Sequence, residues 1–116
     1  MTDVANRTLS LWPSREMMMF RHVVMFRLVD GVSAAVRDEI LQGLAGLARE
    51  VPEIQGFTFG PDAGLAAGNF DIAVIAEFVD EVAYARYAAH PAHIEFVSKK
   101  VRPYLSERAA VQFGPA

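Results

Sequence analysis

Two short stretches alternate in polarity with a period of two, and each is apolar on both faces at its centre. In Arg21 to Leu28, the residues His22, Val24, Phe26 and Leu28 project one way. Val23 and Met25 project the other way, between Arg21 and Arg27. In Phe70 to Phe78, the first face holds Phe70, Ile72, Val74, Ala76 and Phe78, and the second holds Asp71, Ala73, Ile75 and Glu77. Strands of this kind belong in the middle of a sheet that is covered on both sides. One cover can come from the chain's own helices, so the question is what covers the other.

The helices are visible as a change of period. Ser33 is the expected N-cap of the first, although no glutamate stands at the capping-box position. Val36, Ile40, Leu41, Leu44, Leu47, Ala48 and Val51 form one apolar stripe, which Pro52 ends. Gly43 and Gly46 weaken this helix by up to ~1 kcal/mol each relative to alanine, which predicts a close approach to the sheet. Ile54 to Gly60 reads as a strand with Phe57 and Phe59 on one face, and Pro61-Asp62-Ala63-Gly64 as a turn. Asp80 caps a second helix that runs to Ala89. Pro91 disfavours helical geometry at His90 and suits the first position of a new turn. The helix therefore bends there and resumes as far as Arg102, before Pro103. Ala109 to Phe113 is a short last strand.

The order β-α-β-β-α-β is the split βαβ pattern of a ferredoxin-like α+β fold. It predicts a four-stranded antiparallel sheet with the first and third strands central and both helices on one face. The other face carries Val23, Met25, Ala73 and Ile75, and an uncovered apolar face implies a partner. The economical partner is a second copy, sheet to sheet about a two-fold axis; otherwise the face is modestly apolar and wet. The domain spans residues 20 to 116. Residues 1 to 19 show no sustained period and are expected to form a flexible N-terminal extension. Met17, Met18 and Met19 are alternative starts, and Leu9, Leu11 and Trp12 offer the means for the extension to drape over the domain.

Composition removes several classes of function. The chain has no cysteine, which excludes disulfides, thiol catalysis and thiolate zinc sites. A net charge of −3 without a basic cluster argues against nucleic acid as a partner. No apolar run reaches the ~18 to 20 residues of a membrane span, and Met1 to Glu16 lacks the apolar middle of a signal peptide. The expectation is a cytoplasmic protein without a membrane partner. No phosphate-binding glycine loop or nucleophile elbow occurs.

The chemistry-bearing stretch is Tyr87-Ala88-Ala89-His90-Pro91-Ala92-His93. Tyr87, His90 and His93 are spaced three apart, so a helical path puts them roughly on one side. His93 also shares a face with Val97, Val101 and Tyr104, which should look inward. His22 lies on the helix-facing side of the first strand, within reach of the bend. A partly buried histidine is a candidate proton carrier, and a nearby tyrosine hydroxyl can donate to a carbonyl or enolate oxygen as charge develops. A plainer reading stands beside it, in which His90 caps the next turn, His93 satisfies hydrogen bonds and Tyr87 fills the core. A metal site is not expected, because Pro91 spoils the helical spacing of His90 and His93 and no carboxylate accompanies them. Asp71 reads as facing solvent, and Lys99, Lys100 and Arg102 as a solvated face.

Arg21 to Leu28 followed by Asp30-Gly31-Val32-Ser33 resembles the opening of the stress-responsive A/B barrel (Dabb) domain. Tyr87-Ala88-Ala89-His90-Pro91-Ala92-His93-Ile94-Glu95-Phe96 resembles that family's most recognisable motif. The likeness runs from Phe20 to about Phe113. It implies a dimeric α+β barrel, a link to stress responses in plant relatives, and in one branch the cyclisation of polyketide chains by an intramolecular aldol step. In that branch a tyrosine and a histidine of the motif are the acid/base pair, and they match Tyr87 and His93. His22 matches a pocket histidine. The implied pocket is lined by Phe26, Ile40, Leu41, Leu44, Val74, Ala76, Ile94 and Tyr104, and His90 is counted with its binding residues. Three functions follow as expectations. The first is a homodimer with a small apolar pocket and cyclase- or lyase-type acid/base chemistry on a small carbonyl compound, without a cofactor. The second is a non-catalytic stress-response or small-ligand-binding dimer. The third is a cofactor-assisted monooxygenase.

Overall fold

The computed structural model describes residues 19–115. Its elements are β1 (Phe20–Leu28), α1 (Ala34–Glu50), β2 (Gly56–Pro61), β3 (Ile72–Phe78), α2 (Glu81–Ala89), α3 (Pro91–Phe96) and β4 (Leu105–Phe113). A π-helical turn (Val97–Val101) and a 3₁₀ turn (Arg102–Tyr104) join α3 to β4. The extension expected over residues 1 to 19 lies, but for Met19, outside the described residues.

The sheet is antiparallel throughout, in the order β2-β3-β1-β4, so β1 and β3 are central as their two-sided apolar centres require. The four strands and the split βαβ order are those of a ferredoxin-like α+β fold. The expected caps are in place. The Ser33 side chain accepts a hydrogen bond from the Val36 amide, and Asp80 accepts one from the Ala83 amide at 2.8 Å.

Helices cover one face. Ile40, Leu44 and Leu47 of α1, Ala83 and Tyr87 of α2, Phe96 and Val101 are buried there against Val24, Phe26, Ile72, Val74, Ala76 and Phe78. The apolar area removed from water, at ~25 cal/mol per Å², supplies the main drive for this packing. Gly43 serves a different contact from the one its sequence position suggests. A Cβ built on it would collide with the ring of Phe96, so the close approach is between α1 and α3 and not between helix and sheet.

Three strand starts differ from the pattern reading. β4 begins at Leu105, four residues before Ala109. Its first half is polar and exposed because β4 is an edge strand, and pairing with β1 down to Leu28↔Leu105 holds it without help from apolar alternation. β3 begins at Ile72 because Asp71 is used otherwise. Its carboxylate accepts from the Leu28 amide at 2.7 Å and its own amide donates to the Phe26 carbonyl at 2.8 Å. Asp71 thus closes the end of β1 and does not simply face solvent. β2 begins at Gly56, two residues after Ile54.

The second face of the sheet carries no helix among the described residues. Val23 lies opposite Ile75 and Val111, and Met25 opposite Ala73 and Ala109. Met25 is 38% exposed, Ile75 39%, Val111 57% and Phe113 47%. Ion pairs border this apolar strip, Arg21 with Glu77 at 2.8 Å and Arg27 with Glu107 at 3.0 Å. Among the described residues no helix is long and apolar enough to cross a membrane.

Candidate acid–base site

The site is built where the second helix breaks. Pro91 keeps His90 extended (φ −66°, ψ 134°), so α2 stops and α3 restarts in a new direction. His90 is consumed by this junction, since its Nδ1 accepts a hydrogen bond from the Ala92 amide at 3.0 Å and caps α3. Tyr87, on the last turn of α2, and His93, on the first turn of α3, are folded onto each other. Their ring centroids are 4.3 Å apart.

The aromatic cluster continues towards the sheet. Tyr87 packs on Phe78 at 5.0 Å and stands 6.4 Å from His22, and Tyr84 lies 5.1 Å from His22. The rings of His22, Tyr84, Tyr87 and His93 form one wall of a cavity of about 380 Å³. Val24, Phe26 and Val74 of the sheet, Leu44 of α1, and Phe96, Val97 and Val101 add apolar wall, and Leu105, Arg102 and Arg108 complete the lining. A larger, shallower groove of about 650 Å³ runs between α1 and α3, and Phe96 borders both spaces.

Hydrogen bonds set the tautomers. The Gln112 amide nitrogen can only donate, and it lies 2.8 Å from His22 Nδ1, which therefore accepts and leaves the proton on Nε2. His93 is the reverse case. Its Nδ1 lies 3.2 Å from the Ala88 carbonyl oxygen, which can only accept, so Nδ1 carries the proton and Nε2 the lone pair. Burial lowers His22 to about 4, with smaller contributions in the same direction from Arg108 and His93. Burial also lowers His93, against an opposing contribution from the Ala88 hydrogen bond; Arg108 and His90 lower it further. Burial pushes the Tyr87 phenol up, helped by Tyr84 and opposed by Arg108. At neutral pH the cavity thus presents a neutral imidazole able to accept a proton beside a phenol that keeps its own. Among the described residues no three His, Asp or Glu side chains are grouped to hold a metal ion.

Residues 20–114 match the model of the stress-responsive A/B barrel domain. The chain belongs to this family. As an A/B barrel domain it is 32% identical over 80 residues to the stress-response A/B barrel domain-containing protein HS1 of Arabidopsis thaliana, covering 67% of this chain and 73% of that one. Among solved structures, a dimeric ferredoxin-like protein of unknown function from Thermobifida fusca superposes with a TM-score of 0.77 at 37% identity, over 84% of this chain and 91% of the other. A hydroxynitrile lyase from Passiflora edulis superposes with a TM-score of 0.73 at 22% identity, over 83% and 92% of the two chains. At that identity the lyase shows the shared fold alone.

Of the residues expected to act in or line the pocket of this A/B barrel domain, His22, Phe26, Leu44, Val74, Tyr87 and His93 border the cavity walled by the aromatic cluster. The other expected pocket residues do not. Ile40 and Ala76 are fully buried in the core, Leu41 and Tyr104 pack against it, His90 is the cap, and Ile94 is 53% exposed. Ile94 stands one residue past His93, and so about 100° round the helix from the inward stripe. Tyr84 and Arg108 are lining residues that pattern reading missed. Tyr84 was within reach, three residues before Tyr87 on the same helix face. Arg108 follows only from the register, which sets it opposite Phe26.

Proposed function

We propose that this A/B barrel domain is a homodimer whose cavity performs acid/base chemistry on a small apolar carbonyl compound, of the cyclase or lyase type. The observation that carries the chemistry is the Tyr87–His93 pair, 4.3 Å apart at the rings, with Tyr87 buried and His93 half-buried beside an otherwise largely apolar cavity. A volume of about 380 Å³ falls in the ~300–1,000 Å³ range of small-molecule sites. His93 Nε2 takes a proton from the carbon next to a substrate carbonyl. The electron pair moves onto the carbonyl oxygen, and the Tyr87 hydroxyl donates to that oxygen as charge builds there. The resulting enol or enolate attacks a second carbonyl in a cyclase. In a lyase the same pair handles the proton of a hydroxyl whose carbon–carbon bond breaks. His22, held as the Nε2–H tautomer, supplies a second neutral donor.

The exposed apolar strip of the second sheet face supports the homodimer, as does the dimeric relative at 37% identity. The test of the chemistry needs no knowledge of the natural substrate. An acid/base pair beside a carbonyl should speed deuterium uptake from solvent into the methylene and methyl positions next to the ketone of 4-phenyl-2-butanone, read by proton NMR. Exchange above the buffer rate supports the reading. Exchange at the buffer rate with the ketone shown to be bound overturns it in favour of a non-catalytic binding dimer.

A further inference from the structure

The cavity has a feature that proton transfer within the Tyr87–His93 pair does not use. Two arginines, Arg102 and Arg108, border it, and among the described residues no aspartate or glutamate does. They arrive from two elements. The π-helical turn is closed by the Arg102 amide donating to the Val97 carbonyl, and the wider turn lets Val97, Val101 and Arg102 all border the cavity. Arg108 comes from β4, set opposite Phe26 in the register, and side chains paired in this way project to the same face of the sheet.

Nearby carboxylates do not claim these two groups. The ion pairs among the described residues use Arg21, Arg27, Lys99 and Lys100, and neither Arg102 nor Arg108 takes part in one. In a chain with 14 acidic and 11 basic residues, a cavity bordered by two arginines and, among the described residues, by no carboxylate departs from the average surface. The positive potential also reaches inward, since Arg108 acts on His22, Tyr87 and His93 alike, after the larger effect of burial on each.

From this arrangement we infer that the cavity selects ligands that join a small apolar body to an anionic group, a carboxylate or a phosphate ester, with Arg102 and Arg108 receiving the anion. The planar fork of a guanidinium matches two oxygens of either group. The apolar body lies among Phe26, Leu44, Val74 and Val97. The anion at the arginines fixes which end of the ligand reaches Tyr87 and His93. The inference rests on the cavity being a ligand site, as proposed above, but not on catalysis there.

Calorimetric titration of the protein with 3-phenylpropanoate, 2-phenylethyl phosphate and the neutral 3-phenylpropanamide tests it. At least one anion should bind about tenfold or more tightly than the amide, and the stronger of the two names the head group. The preference should shrink as salt is raised from 50 to 500 mM, because the guanidiniums are exposed. In Arg108→Gln and Arg102→Gln the ratio of anion to amide affinity should fall towards one. Equal binding of anions and amide by the unaltered protein overturns the inference. So does a preference that survives the Arg102→Gln/Arg108→Gln double variant. Failure of the deuterium-exchange test with this preference intact would remove the catalytic reading and leave the ligand class standing.

Discussion

The two faces of the sheet use the same strands for opposite ends. On the helix side, β1 and β3 present His22, Val24, Phe26, Val74 and Phe78 to α1 and α2, and the space left over holds the tyrosine and histidine rings. On the other side, residues one position along the same strands, Val23, Met25 and Ile75, are covered by no helix among the described residues. The period-two geometry of a strand makes both possible at once. A face filled from within can be shaped around a cavity. A face left for a partner needs only to be flat, apolar at its centre and charged at its ends.

The contrast can be broken most sharply with Phe78→Ala. This ring is fully buried on the helix side, and its loss should cost ~3–5 kcal/mol in urea unfolding. Phe113→Ala on the open face should cost less than half of that. Equal costs would mean that the two faces are not distinct. Next in size is Ile75→Asp, which puts a charge in the middle of the open strip. Analytical ultracentrifugation should show it as a folded monomer at concentrations where the unaltered chain is a dimer. A persisting dimer would move the interface elsewhere.

Gly43→Ala sharpens the helix side. Helix propensity favours alanine by up to ~1 kcal/mol, but the added Cβ must displace the buried Phe96 ring, and overpacking costs ~1–3 kcal/mol. The net change should be a loss of stability, and Gly46→Ala, with only the end of Glu50 near it, should be neutral or gain. A further effect concerns pH. The unfolded chain binds a proton at His22 near pH 6.5, whereas the folded chain does so only at about 4. Stability should therefore decline as pH falls from 6.5 to about 4, with His93 adding in the same direction. Urea midpoints of His22→Gln should fall less steeply over that window than those of the unaltered protein. Parallel slopes would show that His22 is not held neutral by burial.

Particular residues show why the sequence revealed some of this and concealed the rest. The central strands and the helix stripe were legible because each element has one dominant period, and the break at His90 because a proline allows few alternatives. Tyr87 and His93 stood out through that break. Arg108 was hidden in the polar half of an edge strand, where no alternation signals which way a side chain points. Arg102 reads as part of a solvated basic run, because a π-helical turn shifts the helical phase in a way no period reports. The role of Asp71 is not legible because it caps a strand 43 residues away in sequence.

The claim on which the account turns is that His93 Nε2 is the base. The direct measurement is the rate of deuterium exchange into 4-phenyl-2-butanone by His93→Ala, with and without added imidazole. His93→Ala should lose ~10²–10⁴-fold relative to the unaltered protein, partly restored by imidazole entering the space left by the side chain. Exchange at the unaltered rate in His93→Ala, with the dimer and its melting temperature intact, would contradict it.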